Sequence, residues 1–395
     1  MEKADLQNLG EILSPIALGQ ASSRSDLQLV TGLSRVTVTQ RLNLLLDAGL
    51  VIETTGTIPS GGRPSRMLAL NPKSGFMLVG DIGESFVHLA AVDLDRIVID
   101  ESTLTYSTTM PPQHVLAMIC EEFKRLASAA SGNGVALGAC LSLPTPVDYE
   151  RGRVVGPSVL PGWDDLNIIE ELQRELGVPS LVENDVNLMT IYEYRQNYGE
   201  IDDLFFIKAG TGIGSGIIAD GRLFRGAQGA AGDIGHIQFI DEKAPLCRCG
   251  KPGCVEARAG GWAIARDLTA VGLEAENARD VLKHLRAGKP EAIMLIRNAG
   301  RTIGEVISDV VSILNPRVIV VGGTLAQAGE LLVSGIRELV YQRCLPLATR
   351  ELEIVVSAQF AERALFGAAY LLFENIFSGP GHLDFIARTC RPRDA

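Results

Sequence analysis

Aromatic residues are scarce in this 395-residue chain, 5% of the total with only two tryptophans, so its core has to be assembled from Val, Ile, Leu and Ala. Long apolar runs are missing too. The longest candidate, Ala364–Phe373, falls far short of the ~18–20 residues that cross a bilayer, which excludes a membrane span. The amino terminus, MEKADLQNLG, has no basic segment leading into an apolar stretch, so no secretory signal is expected and the expected location is the cytoplasm. The seven cysteines are then expected as thiols rather than disulfides. With 46% hydrophobic and 21% charged residues the chain is globular, and its length suggests two or three domains.

An excess of positive charge is also absent. The net charge is −11, which argues against a polyanionic partner for the chain as a whole. The charge is unevenly distributed, however. Residues 1–70 hold six basic residues (Lys3, Arg24, Arg35, Arg41, Arg63, Arg66) and six acidic ones, whereas the remainder holds 30 and 41. A neutral head on an acidic body implies two modules with different tasks, and nucleic-acid binding by the head has to be argued from geometry.

In the head, Leu9, Ile12, Leu13, Ile16 and Ala17 form an i, i+3, i+4 stripe, predicting an amphipathic helix over Leu6–Leu18 that Pro15 kinks or ends. Ser23 with Asp26 predicts an approximate capping box for a second helix, Arg24–Val30. After a turn at Thr31-Gly32-Leu33, Ser34 caps a third helix, Arg35–Ala48, ended by Gly49. Val38, Leu42, Leu45 and Leu46 share its inner face; Val36, Thr37 and Gln40 point away, with Thr39 and Arg41 on the flanks. Helix, turn, helix is the arrangement that sets a second helix in the major groove. There Gln40, Thr37, Thr39 and Val36 suit base edges, and Arg35 and Arg41 suit phosphates. Leu50–Thr55 and Met67–Leu70 then read as a two-stranded wing, with Arg63 and Arg66 at its tip. The alternative is a three-helix interaction module with a solvated basic loop.

From Phe76 the pattern changes to short β-branched strands alternating with helices. The strands are Phe76–Asp81, Val87–Val92 and Ile97–Leu104, then Val135–Leu143 and Ser180–Glu183. Helices are expected near 112–130 and 166–176 and from Val186 onward. A second cycle has strands at Leu204–Lys208, Ile213–Ile218, Val318–Val321 and Glu353–Val356, with helices near 291–314, 327–342 and 361–376. This predicts two related α/β lobes with a ligand cleft between them. The glycine-rich turn Gly210–Gly216 exposes backbone N–H groups that can cradle a phosphate, or is simply a tight turn.

Cys120 and Cys140 lie in apolar segments and read as packing residues. Cys247, Cys249 and Cys254 are different, because three thiols fall within eight residues with Gly250 and Gly253 between them to let the backbone fold the sulfurs inward. His236 can complete a tetrahedral Cys₃His set for one structural Zn²⁺ per chain, with no open position for a catalytic water. A redox pair of exposed thiols is the alternative.

These residues carry a family resemblance. Gly232-Asp233-Ile234-Gly235-His236 followed by Cys247-Arg248-Cys249-Gly250-Lys251-Pro252-Gly253-Cys254-Val255-Glu256 resembles the signature of the ROK family (repressors, open reading frames and sugar kinases). Glu183–Asn187, and Asn315-Pro316 through Gly323, resemble two further family motifs. With a winged helix in front, the chain resembles the family's NagC/XylR type of transcriptional repressor. The resemblance implies a two-lobed actin-like ATPase (ROK) α/β fold behind an N-terminal winged helix-turn-helix domain. The division it suggests is a DNA-binding head at 1–70, a linker at 71–75, a first lobe at 76–200, and a second at 201–395 whose last helix packs back on the first. It further implies a monosaccharide between the lobes, contacted by Asn184, Asp185, Asp233, His236 and Glu256, and a homodimer or dimer of dimers on double-stranded operator DNA.

The departures from the family pattern bear on activity. Kinase members carry Asp-Ile-Gly-Gly-Thr where this chain has Asp81-Ile82-Gly83-Glu84-Ser85, placing a carboxylate where ATP phosphates would lie. Thr145 stands where Gly is usual and Asp233 where Glu is usual. Asp185, the general base in the kinases, is retained. The expectation is therefore a sugar-responsive regulator and not an enzyme; the alternative is an ATP-dependent sugar kinase fused to a DNA-binding head.

Overall fold

In a computed structural model the structure describes residues 3–58, 65–83, 85–156, 160–242, 244–357 and 363–390. The expected Arg63 and Glu84, and the wing tip around Gly61-Gly62, lie outside the described residues.

The chain opens with three helices, α1 (Lys3–Ala17), α2 (Arg24–Thr31) and α3 (Arg35–Asp47), and a two-stranded antiparallel ribbon, β1 (Val51–Ile58) and β2 (Ser65–Leu70). Capping sets their limits. Ser23 Oγ accepts from Asp26 N and Ser34 Oγ from Thr37 N, while Gly32 and Gly49 close α2 and α3 in the left-handed region. Asp26 completes its side of the box on Ser22 rather than on Ser23, accepting from Ser22 N at 3.0 Å. Pro15 does not stop α1 at once. It sits in the last turn, where few intrahelical bonds remain to be lost. Leu27, Val38, Leu42 and Leu45 are buried as the periodicity requires, and Leu46 is half-buried.

Two five-stranded sheets follow. The first is built from β3 (Gly75–Ile82), β4 (Phe86–Asp93), β5 (Val98–Thr105), β6 (Val135–Leu143) and β9 (Ser180–Asn184). A two-residue hairpin, β7 (Val147–Asp148) and β8 (Arg153–Val154), projects beyond β6. The second comprises β10 (Leu204–Ala209), β11 (Ile213–Ala219), β12 (Arg222–Leu223), β13 (Val318–Gly322) and β14 (Glu353–Val356). Their orders, β5-β4-β3-β6-β9 and β12-β11-β10-β13-β14, are the same arrangement: an antiparallel meander, then two strands added parallel to its first. Every residue of β13 is buried, as a parallel strand covered on both faces demands. Helices α4 (Pro112–Ala129) and α5 (Ile168–Leu176) cover the first sheet. Helices α8 (Gly261–Ala270), α9 (Ala278–Arg286), α10 (Pro290–Leu314) and α11 (Glu330–Arg343) cover the second, with short α7 (Val255–Ala259) and α12 (Pro346–Thr349) at its margins.

Two helices lie between the sheets. Along α6 (Asp185–Asn197), Val186 and Tyr194 pack with Phe206 and Val320 of the second sheet, while Leu188 and Ile191 join the core of the first. Helix α13 (Arg363–Ser378) crosses α6 at Gly367, where any Cβ would collide with the Leu188 carbonyl. Ser357 Oγ donates to Glu193 Oε2 at 2.6 Å, tying the end of β14 to α6.

A last helix, α14 (Gly381–Thr389), follows the Gly379-Pro380 break and was not anticipated from sequence. It packs on β6 and α1, and Arg388 donates to the Ala136 carbonyl. Leu9, Ile12, Leu13 and Ile16 of α1 therefore share one apolar core with Phe377, Phe385 and Ile386. The head is joined to the body by this core as well as by residues 71–75, where Asn71 Nδ2 donates to the Gly49 carbonyl at 2.6 Å. The short α7–α9 were also unanticipated, since Gly260, Gly261 and Gly272 break their periodicity.

Candidate functional site: a cleft beside a Cys₃His cluster

The cluster is built by a knuckle. Cys247 N donates to Lys251 O at 2.9 Å and Gly250 N to Cys247 O at 3.0 Å, turning the chain around Arg248–Gly250. Gly250 and Gly253 have φ of 86° and 76°, and at Gly253 a Cβ would strike the Phe239 carbonyl. The ligand atoms of His236, Cys247, Cys249 and Cys254 all lie within 4.8 Å of one another. Cys249 Sγ is 3.6 Å from Cys254 Sγ, and His236 Nδ1 is 3.8 Å from Cys247 Sγ. A tetrahedral ion with bonds of about 2.3 Å to sulfur and about 2.0 Å to nitrogen requires edges of about this length, so the donor set fits zinc. Burial pushes the Cys254 thiol up to about 12, so holding it as a thiolate calls for a cation beside it.

The cluster adjoins a cavity of about 540 Å³ at the carboxyl ends of strands from both sheets. All five residues expected to read a sugar line it. Asn184 and Asp185 come from the junction of β9 and α6, Asp233 and His236 from the loop after β12, and Glu256 from α7. Their remaining capacities differ. Asn184 Oδ1 caps α6 through Val186 N and Asn187 N, and its amide donates to Thr145 O at 3.1 Å. Glu256 accepts from Ile213 N at 3.2 Å and from Trp262 Nε1 at 3.1 Å. Gly212 must be glycine for that first bond, because a Cβ would overlap Glu256 Oε2. The glycine turn therefore already has a carboxylate on one of its N–H groups, which favours reading it as a tight turn that positions Glu256.

Two contributors escaped the sequence reading. Glu183, 2% exposed, accepts from Asn184 N and Asn187 Nδ2 at 2.9 Å each and from Arg225 Nε at 2.6 Å, fixing the β9–α6 corner. Lys208, near the end of β10, pairs with the Asp185 carboxylate inside the cavity. Its signal was a lysine within the otherwise apolar run Leu204–Ala209.

Behind this pair, Asp81 accepts from Ser142 Oγ at 2.6 Å, and burial pushes its carboxyl up to about 6, helped by the neighbouring Asp185 charge. Between about pH 4 and pH 6 the folded protein then keeps a proton that the unfolded chain has released. This contribution to stability, at most about 3 kcal/mol, is present at low pH and lost as pH rises through 6. Asp81→Asn, which can still accept from Ser142, should flatten that part of the stability profile. Melting temperatures of both proteins from pH 4.5 to 7 check this, and parallel profiles would refute it.

On the head, Arg35, Val36 and Gln40 are exposed along one face of α3, Val36 to 66%, and Leu44 continues that face. Thr37 and Thr39 are half-buried at its edges, with Thr39 Oγ1 bonded to the Arg35 carbonyl. Arg41 does not join them. Its guanidinium is held on α1 by Glu11 and by Asn8 Oδ1 at 2.6 Å, so the phosphate contact expected of it gives way to a helix–helix tie. Arg66 is exposed on the wing, loosely paired with Glu53 at 3.3 Å.

Comparison with known proteins agrees with this architecture. The model of the ROK family matches residues 79–375. The putative xylose repressor of Caldicellulosiruptor sp. (strain Rt8B.4) is 25% identical over 94% of this chain and 96% of its own length. The glucokinase of Thermotoga maritima is 26% identical but aligns with 76% of this chain while covering 98% of itself. Among solved structures, a ROK family transcriptional regulator described as a homolog of E. coli MLC protein superposes with a TM-score of 0.81 at 27% identity, covering 98% of this chain and 99% of that one.

Proposed function

The chain belongs to the ROK family, and on that premise we propose that it is a sugar-responsive transcriptional repressor whose head binds operator DNA and whose cleft binds a monosaccharide or a derivative of one. The observation that carries this reading is coverage: the regulators align with 94% and 98% of this chain, more than the body alone could supply, whereas the kinase aligns with 76% of it. The division into a head at 1–70, a connecting segment at 71–75 and two lobes at 76–200 and 201–395 is part of the same proposal.

The geometry supports a mechanism. One zinc ion per chain, held by His236, Cys247, Cys249 and Cys254, would fix His236 through Nδ1, leaving the other ring nitrogen for the ligand. When bound, the ion would supply structural bracing, and four protein ligands would leave no position at which to activate water. Asp185, Asp233 and Glu256 offer acceptors and Asn184 a residual N–H to the ligand's hydroxyls. A change in lobe angle is passed along α13 and α14, and through residues 71–75, to α1. A symmetric dimer sets two α3 helices in successive major grooves about 10 base pairs apart or a multiple, with Val36, Thr37, Thr39 and Gln40 toward the bases, Arg35 toward a phosphate, and Arg63 and Arg66 on the flanking backbone. Such a protein works in the cytoplasm, where its operator and effector are.

The test is operator binding by fluorescence anisotropy across a panel of sugars and sugar phosphates. A coupling of ~1–3 kcal/mol changes operator affinity about 5–150-fold. If no sugar changes it, the sensing half of the proposal is wrong. The kinase alternative makes the opposite forecast for the same protein with ATP and Mg²⁺: sugar-dependent release of ADP, which a repressor without phosphoryl-transfer activity does not give.

A further inference from the structure

We propose that Lys208 is a specificity-determining residue of the cleft, holding one ligand hydroxyl between its ammonium and the Asp185 carboxylate. The inference rests on the sugar-sensing reading above. It starts from an imbalance of hydrogen-bonding groups. A sugar hydroxyl carries one proton to donate and two lone pairs that accept, so a complementary site needs donors as well as acceptors. The acidic residues around the cavity, Asp185, Asp233 and Glu256, are acceptors only when ionised. Several neutral donors nearby are engaged: Ser215 Oγ donates to Gly232 O at 2.6 Å, Trp262 Nε1 to Glu256, and one N–H of the Asn184 amide to Thr145 O.

Lys208 adds charged donors directly beside Asp185. Its ammonium has three N–H bonds, of which the pair with Asp185 uses one, and it lines the same cavity. Asp185 is 8% exposed and Lys208 is half-buried, so neither group is well solvated. The two arrive from different sheets, Lys208 from β10 and Asp185 from the residue after β9. A hydroxyl placed beside them accepts from the ammonium and donates to the free Asp185 oxygen. Both charged groups are then bonded to the ligand as well as to each other. A ligand with only a C–H at that position leaves both without that partner, and this is how a site rejects deoxy analogues more strongly than it rejects changes in size. Bonds to charged groups are the strong ones in such a site.

The experiment uses the full chain, zinc-loaded, as wild type, Lys208→Met and Lys208→Arg. Calorimetry measures binding of a panel of aldopentoses, aldohexoses and their N-acetylamino derivatives, and then of the monodeoxy analogues of whichever sugar binds. The wild type should disfavour one deoxy position by about tenfold or more. Lys208→Met should bind the parent sugar about 10–100-fold more weakly and treat that analogue and the parent alike, within about threefold. Lys208→Arg, which keeps a cationic donor, should recover part of the preference. Zinc content and sugar-free operator affinity should match the wild type. Parent-sugar affinity within about threefold of wild type in Lys208→Met, or weaker binding with the deoxy preference intact, would overturn the role of Lys208 alone. Loss of zinc in that variant would do the same by making the residue structural. A wild type that binds no sugar in the panel overturns the reading of the cleft itself.

Discussion

Cys249→Ser should lose its zinc and its response to sugar together while keeping sugar-free operator binding. Of the three thiols Cys249 is the half-exposed one, whereas Cys247 and Cys254 are buried against Ala257. Serine at 249 therefore perturbs packing least and tests the metal most cleanly. A hydroxyl is a poor substitute for a thiolate on zinc, and in small zinc domains the bound ion is worth about 10–16 kcal/mol of folding free energy. Without it the His236 ring loses its tie to the knuckle, although the backbone bonds of Ile237 and Phe239 to Val255 and Gly253 remain, and Glu256, two residues beyond Cys254, loses the metal anchor at the start of α7. Both residues line the cleft, as does Cys249 itself. Metal per chain by elemental analysis should fall from about one to well below one-half, and calorimetric sugar binding should become undetectable. The head is built from α1–α3 and the ribbon, remote from the knuckle in its packing, so operator affinity without sugar should hold within about threefold. Full zinc content in the variant would mean that the ligands are misassigned. Zinc loss with normal sugar binding would mean that the ion does not brace the cleft.

Much of this site was legible from residue types and spacing because the relevant physics is local. Ser34, the Val38-Leu42-Leu45 stripe and Gly49 mark α3 within a single element. The knuckle depends on glycines that must adopt positive φ between closely spaced cysteines, and those are visible as letters. Apart from the two-residue β12, the strands of both sheets likewise follow from short β-branched runs. What was not legible depends on partners far away in the chain. Arg41 resembled a phosphate ligand until Glu11 and Asn8 on α1 were found beside it. Asn184 was read as a sugar contact, yet most of its side chain caps α6 and holds Thr145. Lys208 needed the opposite correction, because its importance lies in facing Asp185 across 23 positions of sequence. Gly10 gave no signal at all: a glycine within an amphipathic helix can be incidental, and only the position of α14 explains it.

That position leads to the second large effect expected. Gly10→Leu should uncouple the head from the sugar while leaving sugar affinity and zinc content unchanged. A Cβ at residue 10 would already overlap the His382 ring and lie 2.8 Å from Leu383 Cδ2, and His382 is held in place through Nδ1 by the Gly379 carbonyl. A leucine must therefore push α1 away from α14. One turn further along, Ser14 Oγ donates to the Phe377 carbonyl at 2.6 Å, joining α1 to the end of α13. At its other end α13 lies against α6, whose first residue is Asp185 of the cleft. The chain of contacts from ligand to head is continuous. Continuity alone does not demonstrate coupling, and the variant provides the missing measurement. If α13 and α14 carry the signal, the ratio of operator affinities with and without saturating sugar should shrink from the wild-type value, about 5–150-fold, toward one. Ser14→Ala removes one hydrogen bond, worth about 1 kcal/mol, and should reduce the ratio only partly. If Gly10→Leu instead responds to sugar as the wild type does, the signal must travel through residues 71–75 alone, and the α1–α14 contact is merely part of how the head is packed.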